Sequence, residues 1–436
     1  MRKILILLIS FFLVVSVSSV FAGGKQEEKP SAKTATVSAG AQPTSFKKIP
    51  VTKKVTIVFS GWGDQTEQKI YRDSIVRFNK IYPNIKVDYQ PIPADFQTKI
   101  KAMMAGGTAP DVFYVDDQLM TALGRTGQLL PLDNYMKQAG VSRKDFITEL
   151  LKIFTYKNKT YGLPKDWGTL GLVYLPEAFT AAGIPEPNDN WNWDNLFEAA
   201  KKIAKNTKFA GFIQNPDWAR FAPWAFEAGG SYTNADYTKA TLDTPEIKKA
   251  ASYILNMKKA GALVTSSDVG ASWAGEAIGK KVVAMTYEGG WMVNFMRQNY
   301  PNVKWKAAKV VKGLNGVRSD VIFTNAIGVN ANTKYPTASA VFTIFVTSRE
   351  NQAEIVKTGF AYSTHPDQIN LIQNPNDKEI AAGGLVGKVA YWGPNTGKIN
   401  DQVSKALERI YLGVQTVDQS FAEANKKVNE ILSGNE

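Results

Sequence analysis

The sequence predicts an α/β fold in which mainly parallel sheets are flanked by helices, and three observations point to this class. Short β-branched runs alternate with amphipathic helical segments from residue 55 onward. The same alternation recurs in the second half of the chain. Apolar residues make up 44% of the 436 positions and charged residues only 21%, which is enough for large hydrophobic cores and is unlike a disordered chain.

The first half of the chain alternates three predicted strands with helices. Strands are predicted at 55–60, 85–90 and 111–115, and helices at 67–82, 96–105 and 118–123. Pro83 ends the first of these helices. In sheets of this kind ligands bind at the carboxyl ends of the strands, so the loops that carry Trp62 and Asp116 are expected to face one crevice.

The second half continues with elements of the same kinds. Short strands are predicted at 160–164 and 171–175, with 165–168 as the loop between them. Further predicted elements are helices at 193–206, 245–260, 338–347, 402–412 and 420–432, and strands at 282–287 and 321–329.

Composition excludes several kinds of chemistry. The chain has no cysteine, so disulfides, thiolate metal sites and cysteine nucleophiles are excluded. His365 is its single histidine, which excludes a multi-histidine metal site. The formal net charge is +13, but the lysines are scattered, which favours a solvated surface over a nucleic-acid site. No metal, cofactor or nucleic-acid partner is predicted.

Residues 1–22 are predicted to be a secretory signal peptide. A basic start precedes an apolar run at 4–17, and small residues lead to Ala22, after which cleavage is expected. An uncleaved anchor is the alternative, because the apolar run and its small residues are marginally long enough to span a bilayer. Residues 23–53 are predicted to be a flexible linker, since their polar composition cannot bury a core. The folded part is expected to be exported, to the periplasm or the cell exterior, either soluble or loosely held at the cytoplasmic membrane.

Six of the ten tryptophans stand in contexts typical of ligand-binding loops, with glycine, proline or a carboxylate nearby. They are Trp62, Trp167, Trp218, Trp224, Trp291 and Trp392, and the acidic candidates at predicted strand ends are Asp64, Asp116, Asp117 and Glu288. Flat aromatic faces and hydrogen-bond acceptors suit a ligand with C–H faces and hydroxyl edges. Taken together, these residues predict a carbohydrate groove.

Short motifs along the chain resemble those of a known family. They lie at 78–87, 99–104, 105–112 (Ala-Gly-Gly-Thr-Ala-Pro-Asp-Val), 127–133, 159–164, 279–285 followed by Gly290-Trp291, and 417–432. In this order and spacing they resemble the extracellular sugar-binding proteins of ABC importers, the maltose-binding-protein-like family. The chain departs from that pattern at Leu175-Pro176, where asparagine and lysine are usual, and at Ala277, where an aromatic residue is usual.

The resemblance implies a two-lobed periplasmic-binding-protein fold, with the ligand held between lobes that crossing hinge strands join. It implies an N-terminal lobe at 54–164 and 322–361 and a C-terminal lobe at 165–321 and 362–436. Hinges are implied near 163–166, 320–324 and 360–364. Ligand contacts are implied at Trp62, Asp64, Asp116 or Asp117, Trp167, the segment with Trp218 and Trp224, Glu288 and Trp291. The protein is expected to be a monomer. Its lobes would close around the ligand, and the permease subunits of an importer would then bind the closed form.

Two other functions remain open. An exported carbohydrate-active hydrolase would also have tryptophan platforms, and Asp64, Asp116 and Glu288 could supply its acid and base. A binding protein for peptides or another solute could share the fold. The prediction is nevertheless a binding protein and not an enzyme, because no spacing in the sequence fixes a catalytic pair. A separate hypothesis is that the basic surface helps to recognise an acidic sugar.

Overall fold

The pattern of strands and helices extends through the part of the chain that the computed structural model describes, residues 45–63, 65–393 and 395–434. The strands are β1 (Val55–Ser60), β2 (Ile85–Tyr89), β3 (Val112–Val115), β4 (Thr155–Tyr156), β5 (Lys159–Thr160), β6 (Gly162–Gly168), β7 (Leu170–Tyr174), β8 (Ala210–Ile213), β9 (Leu263–Val264), β10 (Val283–Gly289), β11 (Lys306–Ala308), β12 (Asp320–Val329) and β13 (Gly387–Val389). The α-helices are α1 (Gln65–Ile81), α2 (Phe96–Ala105), α3 (Asp117–Leu119), α4 (Asp133–Ala139), α5 (Thr148–Ile153), α6 (Pro176–Ala182), α7 (Trp193–Asn206), α8 (Trp218–Glu227), α9 (Pro245–Lys259), α10 (Ala274–Gly279), α11 (Trp291–Asn299), α12 (Pro336–Val346), α13 (Arg349–Lys357), α14 (Pro375–Ala381), α15 (Thr396–Tyr411) and α16 (Val417–Ser433).

The first sheet has the strand order β13-β12-β3-β1-β2, and β6 also pairs with β12. Strand β1 runs parallel to β2 and β3, so the loops after β1 and β3 lie at the same edge, as predicted. Strand β12 is antiparallel to β3 and β6 and parallel to β13. Three of the five strand pairings described in this sheet are parallel, and the long strand β12 makes both antiparallel ones.

The second sheet has the order β11-β7-β10-β8-β9. Its parallel pairs are β8 with β10 and β8 with β9, whereas β7 is antiparallel to both of its neighbours. Every residue of β10 is buried, as expected for a central strand that is covered on both faces. This sheet is mixed, with two parallel and two antiparallel pairings among the described strands, and the predicted α/β class is confirmed.

Two clusters of buried apolar side chains form two lobes. The first lobe surrounds β1 and β3, where Phe59 meets Phe342 of α12 edge to face at 5.1 Å. The second lobe surrounds β7, β8 and β10, with Trp224 of α8 in its interior. Strands β6 and β12 pass between the lobes: Leu163 belongs to the first cluster and Trp167 to the second. These two strands thus form a ribbon that joins the lobes.

The segment 45–53 is packed and is not the flexible linker that its composition predicted. Phe46 and Ile49 are 4% and 7% exposed and belong to the core of the first lobe. The backbone N–H of Lys47 donates to the carbonyl of Ala139 at 2.7 Å. Two apolar side chains within a polar run were sufficient for docking, because the first lobe offers them an apolar surface. The predicted signal peptide and residues 23–44 lie outside the described residues.

Candidate functional site

The ribbon between the lobes is built from β6 and β12. Asp166 pairs with Asn325 and Trp167 with Thr324, and the register shifts between Asn325 and Ala326. Trp167 also exchanges backbone hydrogen bonds of 3.3 Å with Tyr362, so a third segment joins the crossing. Residues 165–168, predicted as a loop, are therefore a strand, because β12 and Tyr362 satisfy their backbone groups.

A cavity of about 150 Å³ lies against this ribbon. Its wall includes Trp62, Glu67, Lys165, Asp166, Trp167, Gly168, Gly290, Trp291, Phe323, Asn325, Phe360, Ala361 and Tyr362. Trp62 follows β1 in the first lobe, and Trp291 begins α11 in the second, so the two lobes each contribute an indole to one cavity. Trp62 is held by edge-to-face contacts with Phe96 at 5.1 Å and Tyr114 at 5.0 Å.

The second-lobe wall is an aromatic platform supported by an ion pair. Phe323 of β12 contacts the rings of Trp291 and Trp218, with centroids 6.0 and 5.9 Å apart. Glu288, at the end of β10, accepts a 2.7 Å bond from the indole of Trp291. Both Glu288 oxygens also accept bonds of 2.8 Å from Arg220. Glu288 therefore orients the platform from behind.

Glycine permits the tight turn at this platform. A Cβ on Gly289 would lie 2.4 Å from the Trp291 ring, so only glycine lets that ring fold back over the end of β10. The sequence suggested that glycine beside an aromatic residue leaves room for a ligand. Here the room is taken by the aromatic ring itself.

The polar side of the cavity centres on Lys165. Its side chain is 2% exposed, and its ammonium lies 3.3 Å from Glu67 Oε1 and bonds to Asp166 Oδ2. It also lies 4.4 Å from the centroid of the Tyr114 ring. Burial by itself would lower the pKa of Lys165, but the adjacent Asp166 raises it well above its usual value. Burial raises the pKa of Glu67, against the lowering effect of Lys165.

The two aspartates after β3 have different surroundings. Asp116 accepts bonds from the Leu119 backbone at 2.8 Å and from the Gln97 amide at 2.7 Å, so it caps α3. Asp117 Oδ2 is buried and finds no hydrogen-bond partner among the described residues. Burial, with the nearby charge of Asp116, raises the pKa of Asp117 to about 7. Neither aspartate lines the cavity beside the ribbon.

The structure brings together three of the predicted contacts and separates others. Trp62, Trp167 and Trp291 line the cavity, while Trp218 and Glu288 support its aromatic wall. Trp167 is largely buried, because its indole donates to the Ser363 carbonyl at 2.7 Å and packs on Tyr362. Asp64 lies outside the described residues.

Trp224 is corrected by its burial, and Trp392 lies away from the cavity beside the ribbon. Trp224 is 0% exposed, donates to Gln214 at 3.0 Å and packs on Trp193 at 5.2 Å. Trp392 is buried, donates to Asn400 at 2.8 Å and lies 4.7 Å from the Tyr232 ring. Nearby glycine or carboxylate residues suggested exposed loops, but the Trp224 ring fills the core of the second lobe. Trp392 lines a separate cavity of about 670 Å³ together with Tyr237 and Tyr391, so its ligand contact stays a prediction.

Sequence reasoning missed Glu67, Lys165, Asp166, Phe323 and Asn325 as cavity residues. The charged pair Lys165-Asp166 before Trp167 was visible in the sequence, but its assignment to a loop hid its burial. Within residues 45–63, 65–393 and 395–434, no set of three acidic or histidine side chains is arranged to hold a metal ion. In the same residues, no helix combines the length and apolar character needed to cross a membrane.

Comparison with known proteins identifies relatives that are named as binding proteins. The sequence model of the family described as bacterial extracellular solute-binding protein matches residues 53–353. A Brucella abortus protein named as a binding protein is 25% identical over 366 residues, which are 80% of this chain and 86% of that protein.

Two solved structures share the fold. The ABC substrate-binding protein of Listeria monocytogenes, in complex with cycloalternan, matches with a TM-score of 0.80 at 22% identity, covering 87% of this chain and 100% of that one. UgpB of Mycobacterium tuberculosis, in complex with glycerophosphocholine, matches with a TM-score of 0.76 at 19% identity, covering 87% and 99%. At such identities the likeness establishes the fold alone, and the ligand has to be argued from the site.

Proposed function

Because the chain belongs to the bacterial extracellular solute-binding protein family, we propose that it binds a sugar or oligosaccharide between its lobes and delivers it to an ABC importer. The observation that carries this proposal is one cavity lined by indoles from both lobes and by carboxylates. Indole faces pack on the C–H faces of a sugar ring, and carboxylate oxygens accept from its hydroxyls. The same residues would suit few solutes that lack both features.

The main proposed contacts are residues that line the cavity. Trp62 and Trp291 would stack on sugar rings, and Asp166, Glu67 and Asn325 would bond to hydroxyls. Asp117 is a further proposed acceptor, supported by its unpartnered buried oxygen. Asp64 is also a proposed ligand contact, and only the resemblance to the sugar-binding family supports it.

Hinge closure is the proposed means of signalling that the ligand is bound. The first and second lobes already meet outside the cavity, where Thr66 of α1 donates to Gln298 of α11 at 2.8 Å. A sugar that touches both lobes would favour this closed arrangement over an open one. The ribbon β6–β12 is the proposed hinge, with Tyr362 in its third crossing.

The proposal extends to organisation and location. We propose lobes at 54–164 with 322–361 and at 165–321 with 362–436, the first extended back to residue 45 because Phe46 and Ile49 pack in its core. The chain would be exported by its signal peptide, act as a monomer outside the cytoplasmic membrane, and contact the permease subunits of the importer.

A hydrolase is less well supported by the cavity. Glu67 and Asp166 share Lys165 as an ion-pair partner, so neither carboxyl is set apart as acid or base. The ring nitrogens of His365 lie 2.7 and 2.8 Å from the backbone oxygens of Asp145 and Thr347, which engages the single histidine elsewhere.

Thermal unfolding of the purified chain with panels of oligosaccharides, peptides and glycerophosphodiesters tests the proposal. A rise in Tm with a saccharide, accompanied by unchanged saccharide on chromatography, supports a sugar-binding protein. Shortened saccharides would establish a hydrolase instead. Stabilisation by peptides or glycerophosphodiesters alone would establish a different solute.

A further inference from the structure

The charges around the cavity differ in sign from the charge of the whole chain. The chain has a net charge of +13. On the ribbon side, however, the buried ammonium of Lys165 faces two carboxylates, Glu67 and Asp166. A protein with a basic surface therefore has an acidic binding cavity.

The charged residues behind the second-lobe wall have the same excess of carboxylates. The Arg220 guanidinium lies beside the Trp291 ring, with its carbon 5.8 Å from the ring centroid. It bonds to Glu288 at 2.8 Å and lies 3.7 Å from Asp217. Carboxylates thus outnumber cations both among the cavity residues of the ribbon side and among the residues behind the second-lobe wall, and both cations are already paired within the protein.

This arrangement decides which sugars the cavity accepts. A carboxylate on the ligand would lose its hydration without gaining a free cation, and it would face the oxygens of Glu67 and Asp166. A hydroxyl or an ammonium on the ligand can donate to the same oxygens. Only anionic ligands would therefore lose binding free energy in this cavity.

We propose that the cavity selects neutral or amino sugars and rejects sugars that carry a carboxylate, through Glu67 and Asp166 held beside Lys165. This inference rests on the proposed sugar-binding function and specifies its ligand class. It replaces the hypothesis that the basic surface recognises an acidic sugar, because surface charge acts at long range whereas the cavity residues would contact the ligand.

Isothermal titration calorimetry of the full chain with matched sugars tests the inference. Each set contains a neutral sugar, its 2-amino-2-deoxy derivative and its uronate, taken from the glucose and galactose series as monosaccharides and 1,4-linked disaccharides. In every set with a measurable ligand, we expect the uronate to bind at least tenfold more weakly than the neutral parent. The amino sugar should bind at least as tightly as that parent.

Variants relate the selectivity to the cavity. Asp166→Asn should reduce the ratio of uronate to neutral dissociation constants at least threefold, and Asn325→Asp should increase it. Glu198→Gln is the matched control, since its carboxylate lies on the exposed face of α7 and should leave the ratio unchanged. Because a ratio is measured within one variant, loss of stability alone does not change it.

The outcomes separate the inference from the function on which it depends. A uronate that binds as tightly as its neutral parent, or a ratio that neither cavity variant moves, overturns the inference and leaves sugar binding intact. Failure of every sugar in these sets and in the wider oligosaccharide panel overturns the proposed function, and the inference with it.

Discussion

The indole nitrogen of Trp291 donates to Glu288 Oε2 at 2.7 Å, so a buried carboxylate fixes the orientation of a ring in the cavity wall. Arg220 Nη2 donates to both oxygens of the same carboxylate at 2.8 Å. Burial raises the pKa of Glu288, and the facing Arg220 opposes that rise. The arrangement gives Glu288 a positioning role, where the sequence had suggested a direct ligand contact.

Trp291→Ala should weaken sugar binding at least tenfold, or about 1.4 kcal/mol, because it removes one of the two stacking faces. Calorimetry with the best ligand from the panel provides the measurement. Trp305→Ala is the control, since Trp305 is also a half-buried second-lobe tryptophan but does not line the cavity. If the two variants bind the sugar with equal affinity, Trp291 does not contact the ligand.

Glu288→Gln should lower the free energy of unfolding by about 2 kcal/mol, because Arg220 loses its principal partner while partly buried. Denaturant unfolding followed by tryptophan fluorescence measures this. The exposed pair of Lys405 and Asp401 offers a control, and Asp401→Asn should cost about 0.5 kcal/mol or less. Similar losses in both variants would mean that the buried pair has no special structural role.

Stability should fall as the pH rises toward 8, because burial raises the pKa of Asp320 from 3.8 to about 8. Between these values the folded state retains a proton that the unfolded state has lost. The stabilisation is therefore complete below about pH 4 and decreases by at most about 1.4 kcal/mol per pH unit until pH 8 is passed.

Asp320→Asn isolates this contribution. The amide can still accept the 2.7 Å bond from the Thr169 hydroxyl, but it does not titrate. Unfolding measured from pH 5 to pH 9 should show a shallower decline in the variant than in the unchanged chain. Parallel curves would mean that Asp320 does not titrate in this range.

Phe46→Ala should lower the free energy of unfolding by about 3 kcal/mol, because it empties a buried position in the first lobe. Lys53→Ala, at an exposed position in the same segment, should change it by less than about 0.5 kcal/mol. If denaturation finds both variants as stable as the unchanged chain, the segment is a free linker after all.

Gln298→Ala should weaken sugar binding about threefold without changing Tm in the absence of ligand, because it removes a contact between lobes that a closed cavity retains. Calorimetry and thermal unfolding give the two readouts. Gln373→Ala, on an exposed turn of the second lobe, is the control. If the affinity for sugar is unchanged, this contact does not contribute to the closure that the ligand favours.

The local sequence pattern predicted the helices and strands, but it did not predict which residues line the cavity. The bounds of β1, α2 and α7 follow from the spacing of apolar residues and from helix-ending residues. The pairing of Glu67 with Lys165 joins residues 98 positions apart, and no local rule predicts it. Trp224 and Trp291 were both predicted to contact the ligand, yet one ring fills the core and the other lines the cavity. Whether such a ring is buried in the core or lines the cavity depends on how the helices pack onto the second sheet.

A crystal structure of the chain with a panel sugar bound tests the central claim most directly. We expect the sugar ring in the cavity beside the β6–β12 ribbon, in contact with Trp62 and Trp291, with at least one hydroxyl bonded to Asp166 or Glu67. A sugar bound elsewhere, with these two indoles untouched, would contradict the account.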